Sequence, residues 1–295
     1  MFIHYRVRIS DAPDSPLKNM TIAPQIFSWK DFPEWEKFVW DIFPETIREP
    51  LFEGIRNGRQ GFEYVEDVLY FAKFYATFGK YSELVESFLN NFSKRFTFIK
   101  MYHCCRPSNT QSYYDLGIRV LDTAEMNNRF KELFLRNPRY PQITDSHIQA
   151  AIKHMARSYR RHGFVYFGLD DRFLLNHCGH YLIFGSEYLQ SLAAFIERET
   201  RCDLKSELRK CGKPTVFEVR MRISTFSDGE LRELTSKVFH TWAYNIAHNR
   251  TYPYELDFGI EIDHELPQDY IIGHYHPKMI PDPSNGYESY CFEKD

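Results

Sequence analysis

The feature of this sequence that most limits its fold is an irregular alternation of strand-like and helix-like segments after Phe96. The strand-like segments are short, aromatic and β-branched, which is typical of half-buried strands. Strands are predicted at Phe96–Tyr102, Phe164–Phe167, Tyr181–Phe184, Val216–Ile223, Phe258–Ile262 and Tyr270–Tyr275. Helices are predicted between them at Thr123–Leu135, Asp145–His162, Glu187–Glu199 and Asp228–Ala247. Helical insertions of unequal length favour an α+β fold with mixed or antiparallel sheets over a doubly wound parallel sheet.

The first third of the chain has a different pattern. Residues 1–9 alternate like a strand, whereas the stretch from Trp29 to Lys94 is mainly helical, with helices predicted at Tyr64–Phe78 and Ser82–Phe92 and breaks expected at Pro44 and Pro50. One apolar helix face is formed by Trp35, Phe38, Val39, Ile42 and Phe43. We therefore divide the chain into a helical N-terminal extension (1–95), an α+β domain (96–282) and a C-terminal tail (283–295).

Composition sets limits on location and partners. The 26 Phe and 20 Tyr residues supply enough apolar area for a large core, and the net charge of −3 confines any nucleic-acid contact to a local patch. No apolar stretch approaches the length of a membrane span, and the N-terminus lacks a signal-peptide core, so a cytoplasmic protein is expected. The six cysteines form no C-x-x-C pair, which is typical of reduced thiols.

Two neighbouring segments carry the first motif. Tyr102–Pro107 reads Tyr-His-Cys-Cys-Arg-Pro and is followed by Gly117–Ile118. This arrangement resembles the first catalytic motif of the ADP-ribosyltransferase superfamily, in which a core strand ends in Tyr-His-Gly-Ser and a short helix leads to Gly-Ile. The resemblance implies an ADP-ribosyltransferase-like split sheet with helical insertions, and NAD⁺ as a substrate.

The same resemblance assigns roles within this motif. It implies that His103 contacts a ribose hydroxyl of NAD⁺ and that the main chain at Cys104 holds the nicotinamide carboxamide. Cys104 and Cys105 stand where the family has Gly and Ser or Thr. Arg106 could pair with the pyrophosphate, since a guanidinium presents a fork of donors.

A second motif lies at His177–Tyr188. It is similar to the family's Gly-Ile-Tyr-Phe strand and following helix, where an aromatic ring stacks on the nicotinamide. Tyr181 and Tyr188 are the candidates for that ring. Tyr181 is favoured because, in a strand, it would share a face with Ile183.

The third motif is the segment Gly259–Ile272. Many members of the family end with a short strand that carries the catalytic Glu, followed by a Pro-containing turn and a final strand. Glu261 matches that Glu, and the resemblance implies that it binds the 2′-hydroxyl of the nicotinamide ribose. Asp263, Glu265 and Asp269 remain alternatives.

The set His103, Tyr181 and Glu261 suits the reaction on general grounds. Cleavage of the bond between ribose and nicotinamide passes through an oxocarbenium-like state, which a carboxylate on the 2′-hydroxyl stabilises. A stacked ring and an amide clamp orient the leaving group. Because the first motif carries His rather than a lone Arg, the pattern is closer to the His-Tyr-Glu branch of the family.

The resemblance also implies a biological context. Stand-alone enzymes of this kind with unusual extensions are often bacterial toxins, toxin–antitoxin components or phage-defence effectors. An antitoxin or chaperone is then an expected partner, with residues 29–95 as its docking surface. Protein, DNA and RNA all remain open as the acceptor.

A basic helix face favours a nucleic-acid acceptor. The predicted helix Asp145–His162 places basic side chains on one side and apolar ones on another. The basic residues are Lys153, Arg157, Arg160 and Arg161. They could contact phosphates, and the alternative is an ordinary solvated face.

Other functions remain open at this stage. An RNA 2′-phosphotransferase also consumes NAD⁺ and relies on several Arg residues. The substituted Cys104 and Cys105 would suit a non-catalytic binding module. A metal-dependent hydrolase would require bound metal and activity without NAD⁺. His274 and His276 share a strand face and could bind a metal ion, and the alternative is an ordinary hydrogen-bonded pair in the final strand. A zinc site could combine residues of the first and second motifs, namely His103, Cys104, Cys105, His177, Cys178 and His180.

Overall fold

The computed structural model describes residues 25–57, 80–158 and 162–292. The chain forms two compact units, each built from two stretches of sequence. Unit 1 contains Met1–Met101 and Arg220–Ile260, and unit 2 contains Tyr102–Val219 and Glu261–Asp295. This division does not follow the predicted boundaries, because residues 220–260 belong with the N-terminal helices and the C-terminal tail belongs to unit 2.

Unit 1 is mainly helical. Its elements are β1 (Ile26–Phe27), α1 (Phe32–Ile42), α2 (Glu45–Asn57) and α3 (Tyr81–Arg95) from the first stretch of sequence. The second stretch adds the long helix Asp228–His248, which is α11 in chain order. The predicted apolar face of α1 is confirmed, since Trp35, Phe38 and Val39 are buried. Ser227 caps α11 in a reciprocal capping box with Glu230.

Aromatic rings form the interior of unit 1. Trp29 stacks on Trp35 with centroids 5.3 Å apart, and Trp242 of α11 stacks on Phe43 at 5.4 Å. Phe88 of α3 meets Phe239 of α11 edge to face at 5.2 Å. The helices from both sequence stretches therefore share one core. Aromatic pairs of this kind stabilise beyond the area that they bury.

Proline affects the helices of unit 1 in two ways. Pro44 separates α1 from α2 as predicted, but the break expected at Pro50 is wrong because this residue lies inside α2. An internal proline removes one helical hydrogen bond. Leu51 and Ile55 of α2 are 4% and 0% exposed, and their burial offsets that loss.

Unit 2 contains the strands that carry the motifs and the helices between them. The strands are β2 (Phe98–Cys105), β3 (Val165–Gly168), β4 (Thr215–Arg222), β5 (Gly259–Ile262), β6 (Ile271–Tyr275), β7 (Met279–Asp282) and β8 (Glu288–Cys291), with the unit boundary passing along β2, β4 and β5. The helices are α4 (Gln111–Leu116), α5 (Thr123–Phe134), α6 (Asp145–Ser158), α7 (Asp171–His177), α8 (His180–Phe184), α9 (Glu187–Thr200) and α10 (Lys205–Leu208).

The strands form two sheets. The larger one has the order β5-β3-β2-β4-β6, with β1 parallel beside β2, and β7 and β8 form a separate antiparallel pair. Tyr102 of β2 lies opposite Gly168 in the antiparallel β3, and β4 pairs antiparallel with β6. Helices and antiparallel sheets in one chain confirm the predicted α+β class.

Most predicted elements after Phe96 are present, and one strand prediction is wrong. The segment predicted as a strand at Tyr181–Phe184 is helix α8, which ends at Gly185 with a positive φ of 85°. Short apolar runs cannot be assigned to strand or helix from periodicity alone. The tail predicted at 283–295 contains β8, whereas the strand at 1–9 and the helix at Tyr64–Phe78 lie outside the described residues.

Candidate functional site

Burial separates Glu261 from the other acidic candidates of its segment. Glu261 lies in β5 and is 9% exposed. Asp263, Glu265 and Asp269 are exposed, and Glu265 forms an ion pair with Arg119 at 3.6 Å. A position at the sheet, out of bulk water, is where a carboxylate interacts most strongly with charge that develops on a ligand.

Glu261 also differs from most buried carboxylates in its hydrogen bonding. Among the described residues, no side chain or backbone group donates a hydrogen bond to its carboxylate. The residue is buried as a whole, but its carboxylate oxygens are not among the solvent-inaccessible atoms that lack a partner in the described part of the chain. Toward the described residues, the acceptor capacity of Glu261 is therefore unused.

The loop that follows β5 is fixed by the first motif. Ile118 and Leu266 exchange two backbone hydrogen bonds, both 2.8 Å long. The preceding Gly117 has φ +83°, and a Cβ atom there would lie 2.2 Å from the Leu266 carbonyl oxygen. Only glycine fits this position. The Gly-Ile of the first motif and the loop after Glu261 are thus adjacent, although Ile118 and Leu266 are 148 residues apart in the sequence.

His103 is held on β2 by the neighbouring strand. Its Nδ1 lies 2.9 Å from the carbonyl oxygen of Tyr166, and its ring is 5.5 Å from that of Phe167. A carbonyl only accepts, so Nδ1 carries the proton and Nε2 is left as an acceptor in the neutral ring. Burial lowers the pKa of His103 and outweighs the opposing effect of the Tyr166 carbonyl. At neutral pH the ring is therefore an uncharged acceptor at Nε2, suited to a hydroxyl.

The strand order brings the two candidate residues to nearby strands. His103 lies on β2 and Glu261 on β5, with only β3 between them. Two strand spacings amount to about 10 Å. A single ligand of nucleoside size could therefore contact both side chains.

Comparison of the chain with protein-family models, curated proteins and solved structures finds no match.

The two cysteines of the first motif have the properties of inert thiols. Burial raises the pKa of Cys105 to about 12, against the opposing hydrogen bond with Tyr113. Burial also raises the pKa of Cys104 well above its usual value. Because the thiolate is the reactive form, neither is suited to act as a nucleophile at neutral pH. The contact predicted between the Cys104 main chain and a carboxamide stays a prediction.

The Arg106 side chain is hydrogen-bonded to the backbone of other segments. Its guanidinium is buried and donates to four backbone carbonyls: Nε to Cys211 at 3.0 Å, Nη1 to Leu182 at 2.8 Å, and Nη2 to Arg209 and Gly212 at 2.6 and 2.7 Å. Burial lowers the pKa of Arg106 to about 10, so the side chain remains charged at neutral pH. In this geometry only one of its five N–H groups is left for a pyrophosphate.

The two tyrosines predicted to stack on a ligand lie on helices. Tyr181 is in α8, where its hydroxyl donates to Glu187 at 3.1 Å. Tyr188 is in α9, 3% exposed among core side chains, and donates to Asn127 at 2.9 Å. Because Tyr181 is not in a strand, the argument that it shares a strand face with Ile183 is wrong.

The strand between β2 and β5 contributes to the position of His103 through its backbone. Tyr166 lies in β3, is half-buried, and supplies the carbonyl that holds His103. Phe167 lies opposite His103 in the antiparallel register, so the Tyr166 side chain points to the other face of the sheet.

The described residues contain no cluster of three or more metal-ligand side chains. The predicted shared face of His274 and His276 agrees with a separation of 5.3 Å between their ring centroids. Within the same described ranges, no helix is long and apolar enough to cross a membrane.

The basic helix is amphipathic as predicted. In α6, Ile148, Ala151 and Met155 are buried, whereas Lys153 and Arg157 are exposed and form no ion pair with any described residue. Arg160 and Arg161 lie outside the described residues. The described part of this face thus presents two free positive charges to solvent.

Proposed function

We propose that this chain is an NAD⁺-dependent ADP-ribosyltransferase of the His-Tyr-Glu type that modifies a macromolecular acceptor. The observation that carries the proposal is Glu261, a residue 9% exposed whose carboxylate no described residue bonds, one strand removed from the strand of His103. The order of motifs along the sequence supports the same interpretation. A carboxylate beside the sheet with no bond to a described residue keeps its acceptor capacity for a ligand.

Each residue of this proposed site has a defined task. Nε2 of His103 accepts a hydrogen bond from a ribose hydroxyl, and the carboxylate of Glu261 accepts one from the 2′-hydroxyl of the nicotinamide ribose. As the bond to nicotinamide breaks, positive charge develops on that ribose and Glu261 stabilises it. Tyr181 lies on helix α8 rather than on the strand between the other two residues, so we leave the aromatic wall of the site unassigned.

The test compares two neighbouring glutamates in the same assay. Purified wild-type chain, Glu261→Gln and Glu265→Gln are incubated with labelled NAD⁺ and a cell lysate, and label transfer and nicotinamide release are measured. Glu261→Gln should lose both activities by about 10²–10³-fold, because one preorganised electrostatic contact is removed. Glu265→Gln should retain them within about threefold, since its exposed ion pair with Arg119 contributes little.

NAD⁺ binding separates a chemical role from a binding role. We expect Glu261→Gln to keep its affinity for NAD⁺ within a few-fold, because the lost interaction is made mainly in the transition state. Tyr181→Ala should also keep its affinity, because Tyr181 lies on helix α8 with its hydroxyl bonded to Glu187. Equal activity of the two glutamine variants, or no NAD⁺ turnover by any protein, would favour the non-catalytic binding module.

The proposal extends to the acceptor of ADP-ribose and to a protein partner. The exposed charges of α6 support a nucleic-acid acceptor, RNA among them, and the engagement of Arg106 with carbonyls weakens the case for an RNA 2′-phosphotransferase. A toxin or phage-defence role with a neutralising antitoxin or chaperone at residues 29–95 is part of the proposal. Recovery of a stable partner complex after deletion of those residues would refute the docking assignment.

A further inference from the structure

The edge strand β6 and the residue after it carry two exposed histidines that face the same side. His274 and His276 are two positions apart, and their ring centroids are 5.3 Å apart. Two imidazoles bound to one tetrahedral ion, with metal–nitrogen distances of about 2.1 Å, have ring centroids about 5 Å apart. The spacing of the two rings in the structure is therefore that of a chelating pair.

Hydrogen bonds leave the same nitrogen available on both rings. Nδ1 of His276 donates to the Pro214 carbonyl at 2.8 Å, with Thr215 Oγ1 at 3.2 Å. Nδ1 of His274 lies 2.7 Å from the Tyr114 hydroxyl, which can accept as well as donate. Neither Nε2 has a partner among the described residues. Metal-bound histidines characteristically hold their second nitrogen by such a bond, which fixes the tautomer and orients the ring.

The ligand type selects the class of metal ion. Neutral imidazole binds borderline divalent ions such as Zn²⁺, Ni²⁺ and Cu²⁺, whereas Mg²⁺ prefers oxygen ligands. Both residues are exposed, so water can occupy the remaining coordination positions.

We propose that His274 and His276 form a binding site for one divalent transition-metal ion, with Tyr114 and Pro214 as the groups that orient the two rings. The site has two protein ligands and keeps open positions for water or for an incoming ligand. It is separate from His103 and Glu261, so its test does not depend on the proposed enzyme activity.

The experiment titrates the metal-free full-length chain with Zn²⁺ against a chromophoric competitor. The wild type should bind one equivalent more than the His274→Gln/His276→Gln double variant, and each single variant should lose at least about tenfold in affinity because the chelate is broken. Tyr114→Phe should keep the stoichiometry and weaken binding about tenfold, through loss of an orienting contact. Mg²⁺ should not compete.

His248→Gln is the matched control, because His248 is also exposed and its Nδ1 also bonds a backbone carbonyl, that of Tyr244. This variant should bind zinc like the wild type. Cobalt substitution gives an independent readout: the extra equivalent should show nitrogen ligation with no thiolate charge-transfer band, which separates it from any cysteine site. Superimposable titrations for wild type and double variant, or a thiolate band on the extra equivalent, would overturn the proposal.

Discussion

At the scale of single residues, Glu261 and Arg106 show opposite ways of burying a charge. The Arg106 guanidinium is surrounded by four carbonyl oxygens, so its desolvation is compensated and it ties β2 to the segment around Arg209–Gly212. The Glu261 carboxylate has no such compensation among the described residues. The first arrangement is that of a structural residue, and the second is the one that the proposed role of Glu261 requires.

This contrast predicts an unusual effect of mutation on stability. Glu261→Gln replaces a buried charge with a neutral isostere, so it should raise the free energy of unfolding by about 1 kcal/mol while abolishing activity. Glu230→Gln is the control, because Glu230 is buried with its carboxylate bonded to Ser227 at the N-terminus of α11. That change should lower stability by about 0.5–1 kcal/mol.

Thermal unfolding of the two variants and the wild type at pH 7 measures both effects. If Glu261→Gln is destabilised as much as Glu230→Gln, Glu261 has a structural partner and the argument for a ligand fails. A gain in stability with a loss of activity is the trade-off expected at a catalytic position.

At the scale of elements, the contact between Gly117–Ile118 and Leu266 fixes the loop that follows β5. Gly117→Ala should shift this loop, because the new methyl group would meet the Leu266 carbonyl oxygen at 2.2 Å in a backbone conformation that alanine avoids. We expect a loss of stability of about 3 kcal/mol and a loss of NAD⁺ turnover in the fraction that remains folded.

Gly163→Ala measures the cost of a non-glycine residue at positive φ when no steric contact is added. Gly163 has a similar φ of +80°, but a Cβ atom there would meet nothing within 4 Å. Gly163→Ala should lower the free energy of unfolding by about 1 kcal/mol and leave activity unchanged. Chemical denaturation of both variants measures the difference. Equal losses in the two would mean that the contact with Leu266 does not matter.

The basic face of α6 makes its own prediction. Lys153→Glu combined with Arg157→Glu should weaken binding of a single-stranded RNA oligonucleotide. The slope of log K against log salt concentration should also become less steep, by the amount that corresponds to about two phosphate contacts. The control is Lys37→Glu combined with Lys94→Glu, which makes the same charge change at exposed positions of α1 and α3. Fluorescence anisotropy at several salt concentrations is the measurement. Equal weakening by both pairs would show a general effect of charge rather than a binding face.

At the scale of the whole molecule, neither unit is continuous in sequence. Helix α11 lies in the last third of the chain, yet Trp242 and Phe239 in it complete a core with rings from the N-terminal helices, such as Phe43 and Phe88. A fragment of residues 96–295 would retain this helix without its partners. Its apolar face would then be exposed to water, which favours aggregation.

We therefore expect the fragment 96–295 to aggregate in size-exclusion chromatography under conditions that keep the full chain dispersed. The complementary fragment 1–95 should lack cooperative unfolding, because α11 is missing from its core. A well-folded 96–295 fragment with a sharp melting transition would show that unit 1 does not depend on helices from both stretches.

The sequence by itself determined the α+β class, the strands that carry His103 and Glu261, and the amphipathic face of α6. Periodicity and turn residues act over a few neighbours, so they can be read locally. Only the tertiary structure decided that Tyr181 lies on a helix, that Arg106 is surrounded by carbonyls and that Glu261 alone among its acidic neighbours is buried. These outcomes depend on contacts between segments far apart in the chain, such as those of Arg106 with carbonyls 76 to 106 residues away, where packing overrides local preference.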